Sequence, residues 1–487
     1  MSDVQIPSSL TNAKIVIVFG AFRSGVRGGM LSVLWRARRF VEYGLSAQIL
    51  TFDYHLDYPL IREQLVQSGR MNDQVDLVNI HEYLKSDALD SLPVIDAKPV
   101  GDDFEESEAD VLRYKLIIRS RSWPIGEDKH FVEYFRDNGS IYMRATVIGD
   151  RSMWKGAQDI QLLGSDGQVR AELASTRDLW AFWLQQIAGD DEVFVIQDFQ
   201  YMSQSGDEIF FDLISGSNVY NYRVAHGATL AAPITPTTHL VPGWAAADRY
   251  NAESDGLVFL TDQQLEHWSD RFGQNPNQFS IPHECMVDSF EQSNQDGERC
   301  ILIASLTPLK RVGDAILAFS GVLKKRPGAT LEVFGEGPSR DDLLKLIAEL
   351  GVEHAVVLHG YSAGAAQACA GAALSLLTST REAFGMTILE SMSRGCPVVA
   401  YDIDYGPRTM ISHGKDGYLV ESGDIAELER AMLRVLEADS ASRDRMRAAA
   451  LEKAKTYSGP AVIQRWIDMF ESSQIRRGVT AARRESL

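Results

Sequence analysis

The feature that most constrains the fold of this 487-residue chain is an alternation of short apolar runs with amphipathic segments after residue 299. Strands that alternate with helices build a parallel sheet covered by helices on both faces. The sequence therefore predicts a complete doubly wound α/β domain over residues 299–455, with a helical tail over 456–487. The strand-like runs lie at residues 300–304, 330–334, 356–359, 372–378 and 397–401, and the helix-like segments at 315–324, 340–350 and 386–393.

A second α/β region opens the chain. Residues 15–19 form a run typical of a buried strand, and a glycine-bearing loop then leads into a helix from about residue 29. With the next strand, this order indicates a βαβ unit in a parallel sheet. We assign residues 1–95 and 201–287 to an N-terminal Rossmann-like domain. The acidic stretch 288–298 is the predicted linker to the second domain.

Residues 96–200 have a different pattern. Apolar and polar residues alternate with a period of two at 111–120 and 131–135, which is typical of strands with one buried face. The turn sequences DNG at 137–139 and SDG at 165–167 each separate two such runs, as in β-hairpins. We predict an antiparallel β-rich insertion over residues 96–200 within the first domain.

The composition argues against several classes of function. A formal net charge of −19 provides no global basic field, so we expect no nucleic-acid partner. No apolar run approaches the roughly 20 residues of a membrane span, and the first ten residues lack the pattern of a signal peptide. Of four widely spaced cysteines, Cys369 and Cys396 lie in apolar surroundings and are expected in the core. The expected location is the cytoplasm, and the inner face of the membrane is left open.

The segment most informative about function is STREAFGMTILE at residues 379–390. It follows a predicted buried strand and leads into a helix that we expect to begin near Thr387. A helix N-terminus offers unpaired N–H groups that suit a diphosphate, and a carboxylate such as Glu390 can accept two hydrogen bonds from a ribose diol. A capping box of Thr387 and Glu390 is the structural alternative, although it accounts for neither Glu382 nor Gly385.

Here the chain resembles glycosyltransferase family 4, whose members are retaining enzymes of GT-B architecture, with two Rossmann-like domains facing a cleft. The resemblance implies that Glu390 binds the donor ribose, that Glu382 contacts the donor sugar, and that Lys310 neutralises the diphosphate. A fixed cation there would also stabilise the charge that develops on a leaving diphosphate. Besides the glutamate pair, the matching segments are LTPLKR at 306–311, VFGEGP at 333–338, LHGY at 358–361, GCPVVA at 395–400 and GKDGYLV at 414–420.

The remaining donor-binding candidates of the second domain are Ser305, Gly385, Met386 and Thr387. The nucleotide sugar is a substrate, and we expect no cofactor. Asp402 and the aspartate two residues later mimic the D-x-D metal motif of the other large glycosyltransferase fold. They lie between a predicted buried strand and a turn, so we expect a loop role and no metal.

Three further candidates lie in the first domain. Gly28 and Gly29, before the first helix, would let the backbone approach a phosphate. Their loop lacks the GxGxxG pattern, so a nicotinamide cofactor is not expected. His226 matches the family's cleft residue near the reacting sugar, and it completes the catalytic set with Glu382 and Lys310. A simple turn at the glycines and a structural histidine remain the alternatives.

A narrower resemblance rests on RGGM at 27–30, on the insertion with YFRDNG at 134–139, and on YGP at 405–407. This combination is similar to bacterial poly(glycerol-phosphate) and poly(ribitol-phosphate) α-glycosyltransferases that decorate wall teichoic acid. Relatives with the same insertion glycosylate serine-rich surface proteins. The resemblance implies transfer of glucose or N-acetylglucosamine from a UDP-sugar to a hydroxyl of an anionic polymer or protein acceptor. We expect the insertion to serve acceptor binding or self-association as a homo-oligomer, because exposed sheet edges can pair with another copy.

One position departs from the family pattern. When the segments are aligned on Pro308 and Lys310, the family's usual arginine is Ser305 in this chain, and serine cannot supply a second cation to the diphosphate. Either Arg311 or Arg27 replaces that arginine, or the enzyme is slow. A non-catalytic GT-B subunit of a protein O-glycosyltransferase complex, and a glycosyltransferase acting on a serine-rich protein, are the alternative functions.

Overall fold

The computed structural model of the chain contains two compact units. The N-terminal unit comprises Gln5–Val224, Pro242–Leu257 and Phe470–Leu487. The C-terminal unit comprises Met1–Val4, Ala225–Val241 and Val258–Met469. The structure describes residues 4, 6–20, 28–53, 58–97, 110–112, 120–126, 129–148, 157–198, 218–227, 251–285, 298–362 and 364–485.

The N-terminal unit begins with three parallel strands and their helices. Strand β1 has the sequence KIVIV and is buried except at its first residue, as expected of a strand covered on both faces. β1 pairs in parallel with β2, and β2 with β3, which confirms the predicted βαβ unit. The elements are β1 (Lys14–Val18), α1 (Gly28–Glu42), β2 (Ser46–Thr51), α2 (Tyr58–Gln67), β3 (Asp76–Asn79) and α3 (Ile80–Lys85).

A six-stranded antiparallel sheet follows, in which each strand pairs with the next along the chain. The DNG and SDG sequences form the predicted turns between its third and fourth and between its fifth and sixth strands. Residues 113–119 of the predicted alternating run lie outside the described residues. The strands are β4 (Asp110–Leu112), β5 (Ser120–Gly126), β6 (Lys129–Phe135), β7 (Ile141–Ile148), β8 (Ala157–Leu163) and β9 (Val169–Ser175).

The chain returns to the parallel sheet earlier than residue 200. After α4 (Thr176–Ala188), strand β10 (Val193–Gln197) pairs with β1 on one side and with β11 (Val219–Ala225) on the other. Five neighbouring strands therefore have the order β11-β10-β1-β2-β3. All five residues of β10 are buried, as in a parallel sheet with both faces covered.

The insertion and the parallel sheet share one hydrophobic core. Val16 of β1 and Leu50 of β2 belong to the same buried cluster as Tyr142 and Leu162 of the antiparallel sheet and Trp183 of α4. A structure that buries apolar side chains in one continuous cluster loses that burial when either part is removed. The insertion is therefore an integral part of the N-terminal unit.

A buried arginine fastens two hairpins of the insertion to α3. The guanidinium of Arg136 donates hydrogen bonds to the carbonyls of Lys85 (3.0 Å), Ile141 (2.8 Å) and Leu163 (2.7 Å). Burial lowers the pKa of this guanidinium, and nearby carboxylates partly oppose that effect. A single side chain that satisfies carbonyls from three segments fixes their relative positions.

From residue 299 onward, the chain builds a second α/β region. Its main sheet has six parallel strands in the order β16-β15-β14-β17-β18-β19. Between β11 and this region, the chain forms β12 (Gly256–Phe259), α5 (Asp262–Phe272) and β13 (Gln278–Ser280). The elements from residue 299 onward are β14 (Arg299–Ile303), α6 (Val312–Lys325), β15 (Thr330–Phe334), α7 (Arg340–Leu350), β16 (Val356–Gly360), β17 (Leu374–Leu377), α8 (Met386–Met392), β18 (Val398–Asp402), α9 (Gly406–Met410), β19 (Gly417–Glu421), α10 (Ile425–Leu436), α11 (Ser440–Lys455) and α12 (Gly459–Glu485).

The doubly wound pattern predicted from residue 299 onward is confirmed. Each strand-like run quoted for this region lies within two residues of an observed strand. Apolar periodicity fixed these positions because the strands are buried and the helices are amphipathic. The predicted linker at 288–298 lies almost wholly outside the described residues.

The end of α12 packs within the N-terminal unit. The ring centroid of Phe470 lies 4.7 Å from that of Phe194 in β10. Arg477 donates to both carboxylate oxygens of Asp255, at 2.7 and 2.6 Å, and its guanidinium lies 4.1 Å from the ring centroid of Tyr220. Neither α12 nor any other helix in the described part of the chain is both long and apolar enough to cross a membrane.

Candidate functional site

The strand order of the second sheet reverses between β14 and β17. From β14 the chain proceeds through β15 to β16 on one side, and it then returns to β17 on the other side. Leu302 of β14 pairs with Leu376 of β17 at this junction. Ligands of open α/β sheets bind at the carboxyl ends of the strands where the order reverses. The loops 304–311 and 378–385 follow these two strands and therefore flank the candidate site.

Hydrogen bonds join the two loops. The Thr378 hydroxyl donates to the carbonyl of Lys310 at 2.9 Å, and the backbone N–H of Thr380 donates to the carbonyl of Leu309 at 2.9 Å. Residues 308–310 form a single 3₁₀ turn, with proline at its first position. The backbone on which Lys310 is mounted is thus held against the segment that precedes Glu382.

Two predicted catalytic side chains meet at this junction. The ammonium group of Lys310 pairs with the carboxylate of Glu382, and both side chains are mostly buried. The hydroxyl of Ser379 donates to the same carboxylate oxygen at 2.7 Å. Lys310, Ser379 and Glu382 therefore form a cluster of cation, hydroxyl and carboxylate at the switch point. Ser379 lies in the segment singled out from the sequence but was given no role there.

The backbone of the Glu382 loop is fixed by the loop after β18. The N–H of Tyr405 donates to the carbonyl of Glu382 at 2.9 Å. A Cβ atom on Gly406 would lie 1.5 Å from the carbonyl oxygen of Phe384, so only glycine fits there. The glycine of the YGP sequence at 405–407 is thus explained by packing, because it allows the loop after β18 to contact the loop that carries Glu382.

Helix α8 begins directly after this loop. Its N-cap is Gly385, with φ of 86°, a left-handed conformation that favours glycine. The helix starts at Met386 and has no side-chain cap, so the capping box of Thr387 and Glu390 does not form. The structural alternative for this glutamate is therefore wrong, and the side chain is available for another role.

Glu390 is a partly buried carboxylate of α8. Burial raises its pKa, and the charge of Arg394 partly offsets this effect. Arg394 does not bind the carboxylate; instead it donates to the backbone carbonyl of Glu390 at 2.8 Å and to Gln367 at 3.2 Å. No residue in the described part of the chain donates a hydrogen bond to the Glu390 carboxylate. Such a group gains most from a ligand that brings its own donors.

The structure also shows the surroundings of Ser305. Ser305 is exposed on the loop after β14. The guanidinium of Arg311, the candidate to replace the missing arginine, pairs with Asp314 at 2.8 Å and lies 5.6 Å from the ring centroid of Tyr401. Arg311 is thus engaged within its own helix start and against β18. Arg27, the other candidate, lies outside the described residues.

Both aspartates of the D-x-D sequence accept hydrogen bonds from an arginine. Arg408 donates to Asp402 at 2.8 Å and to Asp404 at 3.2 Å, and Gln263 donates to Asp404 at 2.7 Å. The two carboxylates are therefore neutralised by a neighbour of their own loop. Among the residues that the structure describes, no group of three potential ligands is placed to hold a metal ion.

His226 lies in the C-terminal unit and contacts a residue that the sequence did not single out. Its ring stacks on that of buried His283, with centroids 5.2 Å apart and planes at 21°. His283 in turn meets Phe384 edge-on, with centroids 5.2 Å apart. The structure thus links His226, through two rings, to the loop that carries Glu382. No sequence signal marks His283, because its partners are distant along the chain.

The two glycine candidates belong to the N-terminal unit. Gly28 is the first residue of α1, and Gly29 is exposed, with nothing within 4 Å of the position of an added Cβ. The space next to Gly29 is therefore open, which is compatible with either a simple turn or a phosphate contact. In the same helix, Arg36 forms a buried ion pair with Asp198.

The sequence of the chain is similar to those of known glycosyltransferases. Residues 288–453 match the family model of the glycosyl transferases group 1. Poly(glycerol-phosphate) alpha-glucosyltransferase of Bacillus subtilis is 26% identical over 347 residues, which cover 69% of this chain and 49% of that protein. Poly(ribitol-phosphate) alpha-N-acetylglucosaminyltransferase of Staphylococcus aureus is 22% identical over 502 residues, which cover 92% of this chain and 97% of that protein.

A solved structure decides the fold. The crystal structure of a Staphylococcus aureus TarM mutant, in complex with fondaparinux, alpha-GlcNAc-glycerol and UDP, has a TM-score of 0.70 and 20% identity. The match covers 94% of this chain and 99% of TarM. The chain has the GT-B fold. Within this GT-B fold, the family match contains Lys310, Glu382 and Glu390, whereas the candidates of the first 287 residues lie outside it.

Proposed function

We propose that the chain is a retaining glycosyltransferase of family 4. In this proposal it transfers glucose or N-acetylglucosamine from a UDP-sugar to a hydroxyl of an anionic surface polymer such as teichoic acid. The observation that carries the proposal is the cluster of Lys310, Ser379 and Glu382 at the switch point of the second sheet. The two relatives act, by name, on polyol-phosphate polymers, and the TarM complex contains UDP.

Such a donor has three parts, a diphosphate, a sugar and a ribose. The site has one charged side chain that suits each of them: Lys310, Glu382 and Glu390, respectively. In the free protein, Lys310 and Glu382 neutralise each other. A bound donor would place its diphosphate against Lys310 and its sugar hydroxyls against Glu382, so each charge keeps a partner. The Glu390 carboxylate would accept two hydrogen bonds from the ribose diol, which contributes about 1.5–3 kcal/mol to binding. The first backbone N–H groups of α8, at Met386 and Thr387, would face the phosphates.

The proposed reaction needs no protein nucleophile. The acceptor oxygen forms its bond to the anomeric carbon on the face from which the diphosphate oxygen departs. The acceptor proton passes to that departing oxygen, so atoms and charges balance. Lys310 stabilises the negative charge of the leaving UDP. His226 would lie near the reacting sugar, and the anomeric configuration would be retained.

The test is to incubate the purified protein with a panel of UDP-hexoses and a polyol-phosphate acceptor. We expect UDP release that depends on acceptor and an α-linked product by NMR. Glu382→Gln and Lys310→Ala should lower turnover by about 100-fold or more. Matched controls are Glu349→Gln and Lys324→Ala, which change exposed side chains of α7 and α6. A β-linked product would contradict retention, and no UDP release with any sugar would contradict the activity.

The self-association proposed for the insertion has a separate test. Its six strands form an open antiparallel sheet, and β4 and β9 are the edges. Light scattering of the purified protein over a range of concentrations measures its mass directly. A protein that stays monomeric throughout would exclude self-association, and acceptor binding would remain the proposed role. Association with the inner face of the membrane is tested by sedimentation with anionic lipid vesicles.

A further inference from the structure

Four rings of the C-terminal unit follow one another beside the candidate site, and we call them the ring column. His226 stacks on His283, and His283 meets Phe384 edge-on at 85°. Phe384 meets Tyr457 at 68°, with centroids 5.9 Å apart. His283 and Phe384 are both buried. Aromatic pairs at these distances and angles stabilise each other beyond their buried area.

The segment that carries His283 is held at both ends. The backbone N–H of Ile281 donates to the carbonyl of Phe259 at 2.9 Å. Four residues later, the N–H of Cys285 donates to the carbonyl of Tyr457 at 2.8 Å. Because its flanking backbone is fixed, the His283 ring has little freedom to move away from its neighbours.

The third ring of the column, Phe384, belongs to the loop 378–385 of the candidate site. Phe384 lies between Glu382, which pairs with Lys310, and Gly385, the N-cap of α8. The approach of Gly406 fixes the carbonyl of Phe384. A displacement of Phe384 would therefore displace Glu382 as well. The ring column connects His226 to the loop of the candidate site by direct contact.

We infer that His283 is a positioning residue, whose ring holds His226 in register with the Glu382 loop. This inference rests on the proposed function, in which His226 lies near the reacting sugar. His283 does not touch substrate in this scheme and acts only through His226. A displacement of a reacting group by about 1 Å can cost about 100-fold in rate. The stacked ring is thus expected to matter for turnover and not for donor affinity.

The test is a double-mutant cycle on kcat for transfer from the best UDP-sugar. His283→Ala should lower kcat about 10- to 100-fold while the Kd for UDP stays within about 3-fold. His283→Phe keeps a flat ring in the stack and should restore most of the loss. In a His226→Ala background, adding His283→Ala should change kcat by less than about 3-fold, since the group on which it acts is absent. His354→Ala, at an exposed histidine of the same unit, is the control.

Three results would overturn the inference. Equal losses of kcat from His283→Ala in both backgrounds would show that it acts independently of His226. A parallel fall in melting temperature and UDP affinity, not restored by His283→Phe, would show a structural role alone. A wild-type protein that releases no UDP would contradict both the proposed function and this inference. An active wild type in which the kcat losses of His283→Ala and His226→Ala are additive would contradict the inference only.

Discussion

At the scale of single residues, Glu390 combines a proposed role in binding the donor with a cost in stability. Burial raises the pKa of its carboxyl in the folded protein. The folded state is therefore penalised at pH values above that raised pKa, and the penalty vanishes below the ordinary glutamate pKa. We expect Glu390→Gln to raise the melting temperature at about pH 8, with a gain that shrinks toward about pH 4. Differential scanning calorimetry at several pH values measures this change.

The same substitution should weaken the binding of UDP. A neutral amide replaces a carboxylate that would accept two hydrogen bonds from a diol, so we expect a loss of about 1.5–3 kcal/mol in calorimetric titration. A variant that is more stable yet binds less tightly is typical of a functional position. Glu349→Gln, at an exposed site of α7, should change neither quantity. Unchanged UDP affinity in Glu390→Gln would remove the ribose role.

Ser305 stands where a second cation for the diphosphate is expected. The family's arginine is absent here, and the guanidinium of Arg311 is engaged by Asp314 and Tyr401. Unless Arg27 supplies the missing cation, we expect Ser305→Arg to raise kcat by about 10-fold or more, because each donor aimed at developing charge contributes about 10²–10³ in rate. Ser305 is exposed, so the larger side chain has space. Steady-state UDP release measures the effect.

Arg311→Ala is the companion variant. Since its guanidinium serves Asp314 and Tyr401, we expect kcat within about 3-fold of wild type and a loss of stability of about 1 kcal/mol. The figure is small because the side chain is one-third exposed. If Arg311→Ala instead lowered kcat about 100-fold while Ser305→Arg lowered activity, Arg311 would be the replacement cation after all.

The residues of the site were only partly predictable from the sequence. Glu382, Glu390 and Lys310 stand in motifs whose order along the chain indicates their roles. His283 and Ser379 could not be assigned, because their roles depend on which side chains the fold brings together. Lys310 and Glu382 are 72 positions apart, and only the pairing of β14 with β17 makes them neighbours.

At the scale of elements, the apolar periodicity of the sequence predicted the individual strands and helices, because these depend on local sequence. The buried strands and amphipathic helices of the second sheet appeared where the periodicity placed them. The position of β10 in the parallel sheet depends on a partner that is distant along the chain, β1. Helix α8 starts one residue before the expected Thr387, because Gly385 adopts the left-handed conformation that ends the loop. Strand order, and hence the switch point, follows from tertiary pairing.

The start of α1 gives a prediction at the element scale. A Cβ atom at Gly29 would meet nothing within 4 Å, so Gly29→Ala is sterically free in the unliganded protein. Its melting temperature should stay equal or rise, since alanine favours a helix by up to about 1 kcal/mol relative to glycine. If phosphate approaches this backbone, UDP-sugar affinity should fall by about 10-fold. Calorimetric titration with UDP-glucose compares the affinity of Gly29→Ala with that of the wild type. Unchanged affinity would indicate a simple turn.

At the scale of the whole molecule, the contacts of α12 show what local sequence patterns cannot predict. The helix itself was expected from the amphipathic pattern of residues 460–470, and it spans Gly459–Glu485. Arg477 and Asp255, however, are 222 positions apart, and neither lies in a recognisable motif. The end of the chain is thereby joined to the middle of the chain within the N-terminal unit. Such long-range pairs decide whether the terminal residues contribute to stability.

Arg477→Ala should therefore destabilise the N-terminal unit. It removes two hydrogen bonds to Asp255 and the contact with the Tyr220 ring. Breaking a buried pair costs about 3–5 kcal/mol, but the Arg477 side chain is one-third exposed, so we expect about 1–3 kcal/mol. Arg477→Lys keeps the charge and loses the bidentate geometry, so its loss should be intermediate. Urea denaturation measures the free energies.

The control for this variant is an ion pair of similar length whose arginine is more exposed. Arg434 pairs with Glu427 at 2.8 Å along α10, with about half of the arginine side chain exposed. Arg434→Ala should change the free energy of unfolding by no more than about 0.5 kcal/mol, because exposed pairs are screened by solvent. If Arg477→Ala costs no more than this control, the end of α12 contributes little to the stability of the N-terminal unit. A loss several times larger would show that the last turns of the chain hold that unit together through Asp255.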